Sequence, residues 1–138
     1  MRFTSLPGTE FAPSVICLGT GGFGSSIPQE DAFRMLDLFA ELGGNFVDTA
    51  RVYAAWIPGG EGASERTIGA WLKTRNMASH FIVATKGGHP NLATMKVSRL
   101  SPTDIAADTV PVSSTNGWLL VVGLLGGLSV AIVLQRKR

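Results

Sequence analysis

The chain has 138 residues, 45% of them hydrophobic and 16% charged, a composition typical of one globular domain. Its formal net charge is +2, and the three bases at residues 136–138 contribute more than that excess. No basic face with interleaved aromatic residues is visible, so no nucleic acid is predicted as a partner. A metal site is not predicted either, because His80 and His89 lie apart and have few companion cysteines or carboxylates.

The first 44 residues are predicted to form a hairpin, a strand and a helix. Polar and apolar residues alternate across the turn at residues 7–8, which is typical of a hairpin. The strand covers residues 14–18, and Cys17, the single cysteine, is predicted to be buried in it without a disulfide partner. A glycine-rich loop over residues 19–24 follows, and the helix begins near residue 28 and ends at residue 43. The apolar stripe of this helix, predicted to face the core, consists of Ala32, Met35, Leu36, Phe39 and Leu42.

Two further strands end on polar residues. Residues 45–47 are predicted to form the second strand, which ends at Asp48 and leads into a loop that carries Tyr53 and then into a helix. Residues 81–85 form the third strand, which ends at Lys86. In parallel α/β architectures the carboxyl ends of neighbouring strands, about 5 Å apart, meet at one edge of the sheet and carry the chemistry. We therefore expect Asp48, Tyr53 and Lys86 to converge.

The C-terminal part of the sequence changes character. Residues 101–104 carry the start signals of a third helix, but that helix is not predicted to form, because the sequence changes to a polar linker after residue 108. Residues 109–117 form a polar linker, residues 118–134 are apolar and uncharged, and residues 135–138 are basic. The apolar stretch of about 17 residues would reach about 26 Å as a helix, so a single transmembrane helix in membrane lipid is predicted, with a cytoplasmic C-terminus. The alternatives are a buried core helix, a segment similar to a sorting tail, and a cytoplasmic location for the chain.

Four motifs follow one another along the chain. They are L-G-T-G-G-F-G after the first strand, D-T-A-x-x-Y at the second, G-x-S-E-x-x-I-G in the next helix and A-T-K at the third strand. This arrangement resembles the aldo/keto reductase family, whose members are (β/α)8 barrels that use a nicotinamide cofactor. The resemblance covers about residues 1–108 and implies an α/β fold, the N-terminal part of a TIM (β/α)8 barrel with about three βα units.

The resemblance also implies roles for individual residues. Tyr53 donates a proton to the oxygen of a small aldehyde or ketone, and NADPH provides the hydride. Lys86 supplies a cation that stabilises the phenolate, and Asp48 holds Lys86 through a charge-assisted hydrogen bond. The residues implied to lie near the nicotinamide ribose are Gly21, Gly22, Phe23 and Asp48. For the glycines, a merely flexible loop is the alternative.

Two functions are open from the sequence. The first is NADPH-dependent reduction of an aldehyde or ketone. We expect this activity to be impaired, because the family's fourth catalytic residue, a histidine, and its phosphate-binding loops have no counterpart here. The second is a membrane-anchored, non-catalytic fragment or fusion product, which the apolar residues 118–134 favour. Binding of NADPH would distinguish the two functions.

Overall fold

Parallel pairing of short strands builds the sheet on which the polar strand ends lie. The computed structural model describes residues 1–108, 118–125 and 128–134. The strands are β1 (Leu18–Gly19), β2 (Phe46–Asp48), β3 (Ile82–Gly87), β4 (Trp118–Leu125) and β5 (Leu128–Leu134). The helices are α1 (Gln29–Glu41), α2 (Ala63–Arg75) and α3 (Pro102–Asp108), with a 3₁₀ turn at Leu92–Thr94. The strand order is β1-β2-β3-β4-β5, with β1 to β4 parallel and β5 antiparallel to β4. The predicted parallel α/β sheet is confirmed.

Backbone signals set the ends of α1 and α2. Pro28 precedes α1 with a φ of −57°, and the chain leaves this helix through Gly43, whose φ of 82° suits a residue without a β-carbon. Gly62 precedes α2 and Asn76 ends it, and both adopt left-handed backbone conformations. These turns return the chain to the sheet, so that β2 and β3 start side by side.

The hydrophobic core lies between the sheet and the two long helices. Trp71 is 1% exposed, its ring centroid lies 4.9 Å from that of Phe81 in an edge-to-face arrangement, and its Nε1 donates to Asp37 Oδ1 at 2.8 Å. Val47 and Val83 point into the same cluster from neighbouring strands. The other buried residues of this core are Phe23, Ala32, Leu36, Phe39, Ile68, Leu72 and Ala78. The core therefore holds one face of β2 and β3 in place.

Two expectations of burial are wrong. In α1, Ala32, Leu36 and Phe39 are buried, but Met35 and Leu42 are 39% and 62% exposed because they lie at the margins of the apolar stripe. Cys17 is exposed and precedes β1, the first strand of the sheet order. A strand at the edge of a sheet is not covered on every side. The apolar neighbours of Cys17 in the sequence were therefore not enough to predict that its side chain is buried.

The transmembrane helix predicted over residues 118–134 is corrected by the structure. These residues contribute β4 and β5, which pair from Leu119 with Leu134 to Leu125 with Leu128. Short apolar runs do not distinguish a buried helix from a strand by periodicity, and the Gly-Gly pair that separates the two runs in the sequence is typical of a hairpin. In the described part of the chain, no helix has the length and hydropathy to cross a membrane. The predicted linker over 109–117 and the basic residues 135–138 lie outside the described residues.

Candidate active site

An ion pair joins the ends of β2 and β3. Asp48 pairs in register with Ala84, and the alternation of a strand places Lys86, two residues further, on the same face. The Lys86 Nζ donates to both carboxylate oxygens of Asp48 at 2.7 Å and to the carbonyl oxygen of Thr49 at 2.6 Å. The two side chains are 25% and 39% exposed, so the pair is half-buried with one side open to solvent. The three short hydrogen bonds of Lys86 Nζ fix the position of the ammonium group.

Tyr53 completes the group that the sequence predicted to converge. Its hydroxyl donates to Asp48 Oδ2 at 3.3 Å, and its ring centroid lies 4.9 Å from Lys86 Nζ, within the range of a cation–π contact. Asp48 is thus shared by the phenol and the ammonium. We call these three residues the tyrosine–lysine–aspartate group. Their contact follows the prediction, while their catalytic roles stay a prediction.

The loop that carries Tyr53 has a specified backbone. The Arg51 amide donates to the Lys86 carbonyl at 3.2 Å, which extends the pairing beyond β2, and the Gly62 amide donates back to the Arg51 carbonyl at 3.0 Å. Ala54 is fully buried with a φ of 68°, a strained conformation for a residue with a β-carbon. A β-carbon at Gly60 would lie 2.1 Å from the Ala54 carbonyl oxygen. Only glycine at residue 60 therefore allows the loop to close in this way.

A set of fully buried hydroxyls lies behind the group. Ser64 Oγ contacts Thr20 Oγ1 at 2.8 Å and Thr49 Oγ1 at 2.9 Å, and it donates to the Thr20 carbonyl at 2.9 Å. Thr20 Oγ1 donates to the Asp48 carbonyl at 2.8 Å. This hydroxyl cluster, Thr20, Thr49 and Ser64, joins the glycine-rich loop, the end of β2 and the start of α2. This cluster was not predicted from the sequence, although the serine of the G-x-S-E motif was a signal.

The glycine-rich loop carries Gly21, Gly22 and Phe23, which the family resemblance implies to lie near a cofactor. A β-carbon at Gly21 would meet no atom within 4 Å, and Gly19, the register partner of Asp48, is equally open. At Gly22 a β-carbon would lie 2.8 Å from Ser26 Oγ, so glycine is needed there for the turn itself. Phe23 is fully buried in the core, and its side chain is not available for a cofactor.

A second ionic cluster lies on the other side of Lys86. Asp108, 2% exposed, accepts from Arg99 at 2.7 Å and from the Gly88 amide at 2.9 Å, and its Oδ1 lies 3.2 Å from Arg51 Nε. The hydrogen bond to Asp108 raises the pKa of Arg99. Arg51 also donates to Glu61 at 2.8 Å. A pocket of about 110 Å³ is bordered by the four charged residues Arg51, Glu61, Arg99 and Asp108, and Lys86 also lies in its wall. No motif in the sequence indicated this cluster.

Cys17 and Glu65 are two other titratable residues near the sheet, and neither is indicated as a nucleophile or as part of a metal site. Cys17 is exposed as a residue, but partial desolvation of its sulfur, with a contribution from the Asp48 carboxylate, raises the pKa of the thiol to about 11, so the reactive thiolate is scarce at neutral pH. Burial raises the pKa of Glu65, whose Oε1 accepts from Thr85 Oγ1 at 2.5 Å. Among the described residues, no group of three His, Cys, Asp or Glu side chains could hold a metal ion.

The sequence model of the aldo/keto reductase family matches residues 15–110, so the chain belongs to this family. It is 40% identical over 98 residues to an aryl-alcohol dehydrogenase of Pestalotiopsis microspora, covering 61% of this chain and 24% of that protein. It is 41% identical over 80 residues to a norsolorinic acid reductase of Emericella nidulans, covering 53% and 19%.

A solved structure of the same family also aligns with this chain. The holo form of an aldo-keto reductase from Bacillus halodurans aligns with a TM-score of 0.54 and 28% identity, over 71% of this chain and 30% of that one. The chain therefore spans about a quarter or less of the length of the first curated relatives that it matches.

Proposed function

We propose that this chain provides the proton-donating side of an NADPH-dependent reduction of an aldehyde or ketone. The observation that carries the proposal is the shared contact of Tyr53 and Lys86 with Asp48. The names of the relatives, an aryl-alcohol dehydrogenase and a norsolorinic acid reductase, support oxidation and reduction between alcohols and carbonyl compounds. The holo form of the matched structure supports a cofactor-dependent reaction.

Tyr53 is the proton donor in this proposal. NADPH, when bound, supplies the hydride to the carbonyl carbon. The Tyr53 hydroxyl gives its proton to the carbonyl oxygen as negative charge develops there. Lys86, 4.9 Å from the ring, stabilises the phenolate that remains, because an opposite charge at this distance favours the ionised form. Asp48 and the Thr49 carbonyl hold the ammonium in place, so the cation needs no reorganisation during proton transfer.

In this proposal, the cofactor contacts the open side of the glycine-rich loop. The space beside Gly19 and Gly21 would admit the nicotinamide ribose, and the half-exposed Asp48 carboxylate could accept a hydrogen bond from a ribose hydroxyl. Gly22 keeps the turn narrow, and Phe23 anchors the loop to the core. Phe23 therefore supports the loop from behind.

The test is an assay of the purified 138-residue chain with NADPH and 4-nitrobenzaldehyde, in which the alcohol product is separated and quantified. Tyr53→Phe should lower the rate at least about 100-fold, since general acid catalysis contributes about 10²–10⁴-fold. Lys86→Met should also lower it, whereas Lys73→Met, which changes an exposed lysine of α2, should not. Equal rates for wild type and Tyr53→Phe, or no turnover by wild type, would refute the proposal.

A further inference from the structure

The pocket beside Lys86 has no part in the proton transfer proposed above. It lies between the loop after β2 and the segment after β3, and its volume of about 110 Å³ suits a short-chain molecule. Three basic residues, Arg51, Arg99 and Lys86, line part of its wall. Val52, Ala55 and Leu92 provide an apolar part. A ligand with a charged end and a short apolar chain would match both parts.

Arg51 has unused capacity for hydrogen bonds. A guanidinium carries five N–H donors. Among the described residues, Arg51 donates to Glu61 at 2.8 Å and, at the long distance of 3.5 Å, to the Ala107 carbonyl. Its Nε is buried without a hydrogen bond, although it lies 3.2 Å from Asp108 Oδ1. The buried Nε is therefore not offered to a ligand, but each of the terminal nitrogens Nη1 and Nη2 keeps one further N–H for the two oxygens of a carboxylate, which a guanidinium binds in a bidentate manner.

The two acids that contact Arg51 differ in their environment. Asp108 is 2% exposed and is also held by Arg99 and the Gly88 amide, so it is a fixed part of the fold. Glu61 is 63% exposed, and its contact with Arg51 is an ion pair of the kind that solvent screens. Arg99 is further balanced by Asp104, at 3.8 Å. Glu61 is thus the exchangeable acid of the pocket.

We infer that this pocket binds the carboxylate of a short-chain substrate, with Arg51 as the main contact and Glu61 as an internal competitor that the ligand displaces. The inference deepens the proposed function, on which it rests, because it names the substrate class as carbonyl compounds that also carry a carboxylate. Lys86 connects the two sites, since it lines the pocket and contacts Asp48. Arg51 is then a specificity-determining residue.

Binding is tested on the full chain by calorimetric titration with butanoate, an unreactive probe, and with butanamide, its uncharged analogue. Butanoate should bind at least about tenfold more tightly than butanamide, and Arg51→Gln should weaken butanoate binding about 10- to 100-fold, the range for hydrogen bonds to charged groups. Glu61→Gln should strengthen it, because the competing carboxylate is removed.

Arg66→Gln is the matched control, because Arg66 also contacts the loop, through the carbonyls of Gly59 and Glu61, but does not line the pocket. Equal butanoate binding by wild type and Arg51→Gln, or none by wild type, overturns the inference. If Arg51→Gln fails to fold, Glu61→Gln decides, since unchanged or weaker binding there contradicts the inference.

A pair of substrates separates this inference from the proposed function. In the NADPH assay, 4-oxobutanoate should react faster than butanal, and Arg51→Gln should remove that preference. Tyr53-dependent reduction of butanal without a preference for 4-oxobutanoate refutes the carboxylate site and leaves the reductase proposal intact. Butanoate binding without any turnover supports the site and refutes the reductase proposal.

Discussion

The two faces of β2 and β3 differ in what covers them. Val47 and Val83 lie on the helix-covered face, are 0% and 5% exposed, and belong to the hydrophobic core. On the opposite face Ala84 is buried, but at the carboxyl end Asp48 and Lys86 are 39% and 25% exposed and form an ion pair. Residues next to each other in sequence therefore pack in the core on one face and form the candidate active site on the other.

Because the two faces differ, substitutions that lower stability and substitutions that lower activity should fall at different residues. Burial of apolar side chains supplies most of the stabilising free energy of a domain, whereas a partly exposed ion pair contributes little. Changes to the helix-covered face should lower stability, and changes to the tyrosine–lysine–aspartate group should lower activity with little effect on stability.

Trp71→Ala should cause the largest loss of stability, about 3–5 kcal/mol, the range for removing a buried aromatic side chain. The substitution removes the edge-to-face contact with Phe81 and leaves Asp37 without the indole N–H. Urea unfolding followed by circular dichroism measures the loss. Trp56→Ala is the control, because Trp56 is 59% exposed and should change stability by less than about 0.5 kcal/mol. Similar losses in both variants would show that the helix-covered face does not dominate stability.

Ser64→Ala examines the boundary between the two regions. Ser64 is fully buried, and its hydroxyl makes three of the contacts that join the hydroxyl cluster. Its removal should cost about 1–3 kcal/mol, because buried hydroxyls of Thr20 and Thr49 lose a partner.

The control is Ser79→Ala, since Ser79 is exposed. Urea unfolding compares the two variants under the same conditions. A Ser64→Ala protein as stable as wild type would mean that the hydroxyl cluster does not stabilise the end of β2.

The smallest effect is expected for Glu65→Gln and depends on pH. Burial raises the pKa of Glu65 above its ordinary value of 4.5, so the folded state retains a proton that the unfolded state releases. The contribution of Glu65 to the free energy of unfolding should therefore fall as the pH rises from about 4.5 through the folded-state pKa. Glu65→Gln should remove that part of the pH dependence.

The measurement is Tm between pH 4 and 8 for wild type, Glu65→Gln and the control Glu41→Gln, which changes an exposed residue of α1. The difference in Tm between wild type and Glu65→Gln should grow as the pH rises. A constant difference across this range would contradict the expected coupling of Glu65 burial to stability.

The meeting of Asp48 and Lys86 was predictable because it depends on two regular properties. Neighbouring parallel strands present their carboxyl ends at one edge, and alternation along β3 places Lys86 on the face of Ala84, the register partner of Asp48. The contact of Tyr53 is different, since it depends on a loop in which Ala54 has a φ of 68°. No residue pattern predicts a buried alanine in that conformation, so here the motif gave the residue but not the geometry.

Other features were not predictable because their partners are distant and share no period. Asp108 meets Arg51 across 57 positions of sequence and meets Arg99 only because α3 brings the helix end back towards β3. The two apolar runs of residues 118–134 were wrongly predicted as a helix, since runs of seven or eight apolar residues fit either structure. Long-range charge pairs and continuous apolar runs are thus where sequence patterns carry the least information.

The hydroxyl cluster and the tyrosine–lysine–aspartate group all lie within residues 20–86. The largest sequence separation among their side-chain contacts is 44 residues, between Thr20 and Ser64, and Asp48 and Lys86 are 38 residues apart. The entropy of closing a loop rises only slowly with its length, and contacts between nearby segments form faster than distant ones. A nascent chain emerges from the ribosome with its N-terminus first. All residues of the hydroxyl cluster and of the tyrosine–lysine–aspartate group are therefore available for assembly once residue 86 has left the exit tunnel.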